Sequence, residues 1–199
     1  MKILCLYNND CALELFKWLQ DEGNETILWK DKLDIKWCQN QKIDLTVSYT
    51  YRYIINSEIL NVLDRNVVNL HNSYLPWNRG ADPNIWSILE NTPRGVTLHY
   101  VDEKLDHGDI IAQQLVGKYS NEDTLKTTYD ELDRAAKQLF KNAFAYYDFW
   151  NAMRKETLSS GTFHKLSDTT KIKEKSLDYE TKIEDFIKIF TRPAMKSQV

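Results

Sequence analysis

Four short apolar runs, each separated from the next by a turn or a helical pattern, constrain this chain more than any other feature. Residues 2–7 read as a buried strand, 26–29 as a second, 43–48 as a third and 66–70 as a fourth. Between the first two, Leu13, Leu15, Phe16 and Leu19 mark a helix over 11–20, capped from the Asn8-Asn9-Asp10 turn and stopped by Gly23-Asn24. Ser57 is a candidate cap for a short helix through 63. Short strands alternating with helices predict an α/β fold with a doubly wound, mostly parallel sheet.

The second half continues the theme. Asp82 as cap with Pro83 in the first helical turn predicts a helix to about 90, and 96–101 and 109–116 read as two more strands. Apolar residues at Leu125, Tyr129, Leu132, Ala136, Leu139, Ala143 and Tyr147 give one continuous stripe, predicting a long helix over 124–150. After Lys155 the pattern weakens: a turn and strand at 161–164, a charged stretch at 171–175 and a helix over 183–190. A chain of 199 residues suits one such domain. We expect that domain over 1–155 and an accessory segment over 156–199, packed on it or on a partner subunit.

Net charge is −3, with lysines and arginines scattered along the chain. A long nucleic acid is not an expected partner, because its affinity would need a concentrated basic surface. Cys5, Cys11 and Cys38 form no Cys-x-x-Cys pair and no zinc-ligand spacing, so free thiols are expected, with no metal. The apolar run 3–7 is too brief for a signal-peptide core or a membrane span, so no membrane insertion and a cytoplasmic location are expected.

The chemistry concentrates between 67 and 111. Asn69 and His71 are two residues apart, so on a strand they point to one face, at the end of the fourth predicted strand. In open parallel sheets, ligands bind outside the carboxyl ends of the strands. Asp106 lies in the loop between the next two strands. An amide, an imidazole and a carboxylate together suit a carbonyl that becomes tetrahedral, the first two as donors to its oxyanion and the third as a proton partner. Ser73 lacks a Gly-x-Ser-x-Gly elbow and no cysteine has an activating neighbour, so a covalent nucleophile is not expected. His99 and His164 read as structural, and His107 as a loop residue.

The ordered string Asn69-Leu70-His71-Asn72-Ser73-Tyr74-Leu75-Pro76, Arg79-Gly80, Gly95-Val96-Thr97 and Leu105-Asp106-His107-Gly108-Asp109 resembles the signature of folate-dependent formyltransferases. The resemblance implies a Rossmann-like catalytic domain that moves a formyl group from 10-formyltetrahydrofolate to an amine, without a metal. It implies catalytic roles for Asn69, His71 and Asp106. Folate contacts would come from Ser48, Tyr51 and Tyr53 on one side and Val101, Asp102 and Leu105 on the other. Pro76-Trp77-Asn78-Arg79-Gly80 with Pro83-Asn84-Ile85-Trp86 is most similar to the sugar N-formyltransferases, as are the 48–53 string and the tail 161–164. That implies a nucleotide-linked dideoxy amino sugar as acceptor, with dTDP-4-amino-4,6-dideoxyglucose the first expectation. The product would serve a surface polysaccharide such as O-antigen. Tyr74, Trp77, Asn78, Arg79 and Gly80 would contact the acceptor, Arg79 as first candidate for its phosphates. A homodimer is also implied, with the aromatic end of the long helix or the tail as its surface. Thr50 stands where the resemblance puts glycine, and Asn72 where it puts proline or alanine.

Two features separate the chain from relatives of that family. A purine-pathway phosphoribosylglycinamide formyltransferase would cradle phosphate on a Gly-rich turn after its first strand. Here that turn is Asn8-Asn9-Asp10, with a carboxylate expected to repel phosphate. The added carboxyl-terminal domain and basic surface of a transfer-RNA formyltransferase are not expected either. Such a purine-pathway enzyme, a hydrolase of the formyl donor and a catalytically silent sugar-nucleotide-binding module are the alternatives.

Overall fold

A computed structural model describes residues 1–158, 160–173 and 178–191. In chain order the elements are β1 (Lys2–Leu6), α1 (Leu13–Asp21), β2 (Glu25–Trp29), α2 (Ile35–Gln39), β3 (Leu45–Tyr49), α3 (Ser57–Val62), β4 (Val67–His71), β5 (Arg79–Gly80), α4 (Pro83–Leu89), β6 (Gly95–Tyr100), β7 (Ile110–Leu115), α5 (Leu125–Phe144), α6 (Trp150–Met153), β8 (Phe163–His164), α7 (Leu166–Lys173) and α8 (Ile183–Thr191). Short 3₁₀ turns at Asp10–Ala12 and Tyr147–Phe149 lead into α1 and α6.

Six strands form one sheet in the order β2-β1-β3-β4-β6-β7. The first four pair in parallel, while β6 runs antiparallel to β4 and β7 antiparallel to β6. The expected doubly wound, mostly parallel sheet is therefore present, with a hairpin on its far side. The two faces carry separate cores. Ile3, Cys5, Val47, Val68, Leu70 and Leu98 turn to the α1–α5 side, whereas Leu4, Leu6 and Val67 turn to the α2–α3 side. Strand alternation then sends Asn69 and His71 to the same side as Val67.

Several local expectations are corrected. α2 escaped the sequence reading because it is only one turn and a half; Asp34 caps it, accepting from the Trp37 N–H at 2.8 Å. α3 is capped by Asn56, whose Oδ1 accepts from the Ile59 N–H at 3.0 Å, so Ser57 is its first residue rather than its cap. Asp82 holds the N-cap position of α4 without a side-chain cap bond and in a left-handed conformation, φ 49°. The long helix stops at Phe144, six residues early. Trp150 folds back to donate its indole N–H to the Ala143 carbonyl at 2.8 Å and is buried against Phe140, Phe144 and Tyr147. Aromatic burial there outweighs two further helical turns.

The tail packs on the domain through a third core of Ile85, Ile88, Leu125, Ile172, Ile183 and Phe186, with α8 against α4. The charged stretch expected at 171–175 falls partly on α7, and residues 174–175 lie outside the described ones.

Candidate active site

β4 delivers the first two groups. In its register Asn69 lies opposite Ser48 on β3 and His99 on β6, and His71 lies opposite Thr97. Asn69 is half-buried and His71 is buried. After His71 the chain passes a cis Leu75–Pro76 peptide and the buried Asn78 before β5.

The 101–109 loop brings the third. It returns tightly past Tyr100, where Gly108 is obligatory: a Cβ there would sit 2.0 Å from the Tyr100 carbonyl oxygen. Asp106 takes φ 50°, a conformation aspartate tolerates better than most residues, and turns its carboxylate inward. One oxygen, Oδ2, accepts from the Gly80 N–H at 2.9 Å and lies 3.7 Å from His71 Nδ1. The other, Oδ1, lies 3.4 Å from Asn69 Nδ2 and 3.6 Å from His99 Nε2. The three residues expected to act together do converge.

Burial alone would push the Asp106 carboxyl up. The neighbouring His71 and His99 and the Gly80 N–H outweigh it and hold the group well below the usual carboxylate range. Asp106 is therefore a carboxylate at neutral pH, a fixed negative charge beside both imidazoles.

The imidazole is oriented from its far side. His71 Nε2 lies 3.0 Å from the Asn78 carbonyl, which can only accept, so Nε2 carries hydrogen and Nδ1 faces Asp106. His99, expected to be structural, belongs to this cluster. Its Nδ1 donates to the Tyr100 carbonyl at 2.7 Å, and its Nε2 stands 3.3 Å from the Asn69 amide. A mid-strand histidine carries no local sign of this role; only the pairing of β4 with β6 places it opposite Asn69.

The remaining expected residues divide. Ser48 is buried beside Asn69, Val101 and Asp102 are half-buried, and Tyr53 and Leu105 are exposed at 37% and 50%. Tyr51 donates its hydroxyl to the Asp31 carbonyl at 2.6 Å and stands edge-on to Tyr53. Tyr74, Trp77 and Gly80 are half-buried. Asn78 and Arg79 turn inward instead. Asn78 is fully buried, and the Arg79 guanidinium donates to the carbonyls of Asp106 at 3.2 Å and Leu158 at 2.6 Å. Arg79 thus ties the loop of Asp106 to the tail.

A cleft of about 600 Å³ opens at the same end of the sheet, lined by Asn8, Asn9, Asp10, Lys30, Thr50 and Arg52. Asp10, expected to repel anions, is paired with Lys30 at 2.7 Å, so its charge is compensated. Thr50 adopts φ 64°, a conformation glycine takes freely and a β-branched residue resists. Its hydroxyl oxygen accepts the N–H groups of Asn8 at 3.3 Å and Asn9 at 3.0 Å, which offsets the strain and joins the two loops. Burial pushes the thiol of Cys5 up to about 12 and that of Cys11, with help from Asp133, up to about 11, so neither is a thiolate near neutrality.

Residues 29–144 match the Formyl transferase family. The crystal structure of the formyltransferase PseJ from Anoxybacillus kamchatkensis, in complex with UDP-4,6-dideoxy-4-formamido-L-AltNAc and tetrahydrofolate, superposes with a TM-score of 0.82. It is 38% identical, over 94% of this chain and 98% of that one. The methionyl-tRNA formyltransferase of Fusobacterium nucleatum is 38% identical over 115 residues, and the bifunctional polymyxin resistance protein ArnA of Wigglesworthia glossinidia brevipalpis 36% identical over 103 residues. Those matches span 57% and 50% of this chain but only 37% and 16% of the two curated proteins. The family match covers more than half the chain and contains Asn69, His71 and Asp106: the chain belongs to the formyltransferase family.

Proposed function

We propose that the protein transfers the formyl group of 10-formyltetrahydrofolate to the amine of a nucleotide-linked amino sugar, most specifically a 4-amino-4,6-dideoxy sugar. The observation that carries this is the likeness to PseJ along nearly the whole of both chains, where that protein holds a 4-formamido sugar nucleotide together with tetrahydrofolate. The site geometry supplies the chemistry. The neutral amine attacks the formyl carbon, a C–N bond forms, and the carbonyl oxygen takes the electron pair. Asn69 Nδ2, whose contacts to His99 and Asp106 are long at 3.3 and 3.4 Å, and a protonated His71 Nδ1 are the donors for that oxyanion, since Nε2 is occupied by Asn78. Donors of this kind contribute about 3 kcal/mol each to a transition state. With Asp106 as its fixed carboxylate partner, His71 manages the proton that the amine sheds and the one that the folate nitrogen gains as its bond to carbon breaks.

The sugar nucleotide needs phosphate partners. With Arg79 occupied internally and Lys30 paired with Asp10, Arg52 beside the cleft is the better placed cation. The folate would lie along Tyr53, Val101 and Leu105. PseJ holds a UDP-linked sugar, whereas the resemblance to sugar N-formyltransferases implies deoxythymidine diphosphate, so both carriers belong in the test. Protein, 10-formyltetrahydrofolate and UDP- and dTDP-linked 4-amino- and 3-amino-dideoxy sugars are mixed, and tetrahydrofolate release is followed. Turnover with a 4-amino sugar is expected. Turnover confined to glycinamide ribonucleotide, or formate release without an amine, would overturn the proposal.

A further inference from the structure

Among the described residues, 155–158 and 160–164 supply no acid, base or nucleophile to the site, yet they touch both loops that do. Lys155 and Ile110 exchange N–H···O bonds at 2.8 and 2.9 Å. The Thr157 hydroxyl donates to the Gly108 carbonyl at 2.6 Å, and the Leu158 carbonyl receives Arg79. Gly161 then turns the chain against Pro76, where a Cβ would stand 2.1 Å from the Pro76 carbonyl oxygen. Beyond it β8 pairs in parallel with β5.

The convergence is tightest at Asn78, which is fully buried with φ 54°. The Thr162 hydroxyl accepts the Asn78 N–H at 2.8 Å and donates to Asn78 Oδ1 at 2.9 Å. The Thr162 carbonyl accepts the Arg79 N–H at 3.0 Å. Thr162 therefore holds both peptide planes that flank Asn78. Because a peptide is planar and trans, fixing the Arg79 N–H aims the Asn78 carbonyl the opposite way, toward His71 Nε2. Thr92 secures the Asn78 amide at 2.7 Å.

We propose that Thr162 is a positioning residue for formyl transfer: by fixing Asn78, it holds His71 in the tautomer and orientation that turn Nδ1 to Asp106 and the reactants. The tail is then part of the active site's framework. The rate arm of the test rests on the proposed function; the spectroscopic arm does not.

Histidine nitrogen NMR on the full chain reads the tautomer, with the His71 signals identified by their loss in His71→Gln. In the wild type, neutral His71 is expected with hydrogen on Nε2. In Thr162→Val, which keeps the shape and loses the hydroxyl, a mixture of tautomers is expected. Its kcat for formyl transfer should fall about tenfold to a hundredfold, with the KM for the donor within about twofold. Thr162→Ser should restore both. Should Thr162→Val not fold, Thr162→Ala against Thr162→Ser makes the same comparison. Hydrogen on Nδ1 in the wild type, or a folded hydroxyl-free variant with the wild-type tautomer and kcat, overturns the proposal. A wild type that transfers no formyl group refutes the proposed function and leaves the tautomer comparison to decide the role of Thr162.

Discussion

Asp106 gathers more of the site than any other residue, through Gly80, His71, Asn69 and His99. Its carboxyl is lowered on folding, so the sign of its linkage is fixed. Its stabilisation is present above the unfolded value of about 4 and is lost as pH falls toward the folded one. Urea midpoints of the wild type and Asp106→Asn, measured from pH 6 to pH 3, should therefore converge on acidification, and a gap unchanged to pH 3 would contradict the burial and pairing described. An acid limb in the rate profile must come from another group, such as the acceptor amine, which attacks only when neutral. Asn69 and His71 were legible because spacing by two at a strand end puts two polar groups on one face. His99 was not, since its partner lies 30 residues away and only strand pairing unites them. Arg79 and Asn78 look like ligand contacts in sequence, and their inward roles depend on a tail more than 75 residues later.

At the scale of elements, α5 is anchored to the sheet by a buried polar chain as well as by its stripe. Tyr49 donates to Asp133 at 2.7 Å, and Lys137 bridges Asp133 at 2.7 Å and Glu14 at 2.8 Å. Lys137 is only 6% exposed; burial would lower its pKa, but Asp133 and Glu14 raise it, so the ammonium stays charged. Lys137→Met leaves Asp133 buried without its cation and should cost about 3 kcal/mol in denaturant unfolding. The apolar periodicity revealed the helix and not this chain, because Asp133 and Lys137 read as solvated polar positions until the sheet is placed beside them. The same limit hid the early end of α5, which depends on Trp150 finding its pocket. Five-residue strands were legible as apolar runs and the longer helices as apolar stripes; α2, also five residues long, was not.

At the scale of the molecule, the sheet sets the positions of Asn69, His71 and His99, and the tail holds the loops that complete the site. Phe186 on α8, fully buried, closes the third core, and Phe186→Ala should lower stability by about 3 to 5 kcal/mol in the same unfolding measurement. The tail's sequence showed a strand and a helix but not their docking, which is decided by β5 for the strand and by residues 85, 88 and 125 for the helix. In the proposed function, Asn69, His71 and Asp106 together carry formyl transfer. The most direct measurement is kcat for Asn69→Ala with 10-formyltetrahydrofolate and an accepted sugar nucleotide, beside donor binding by the same variant. The account predicts a fall of about two orders of magnitude in kcat with donor affinity retained. Near-wild-type turnover would contradict it.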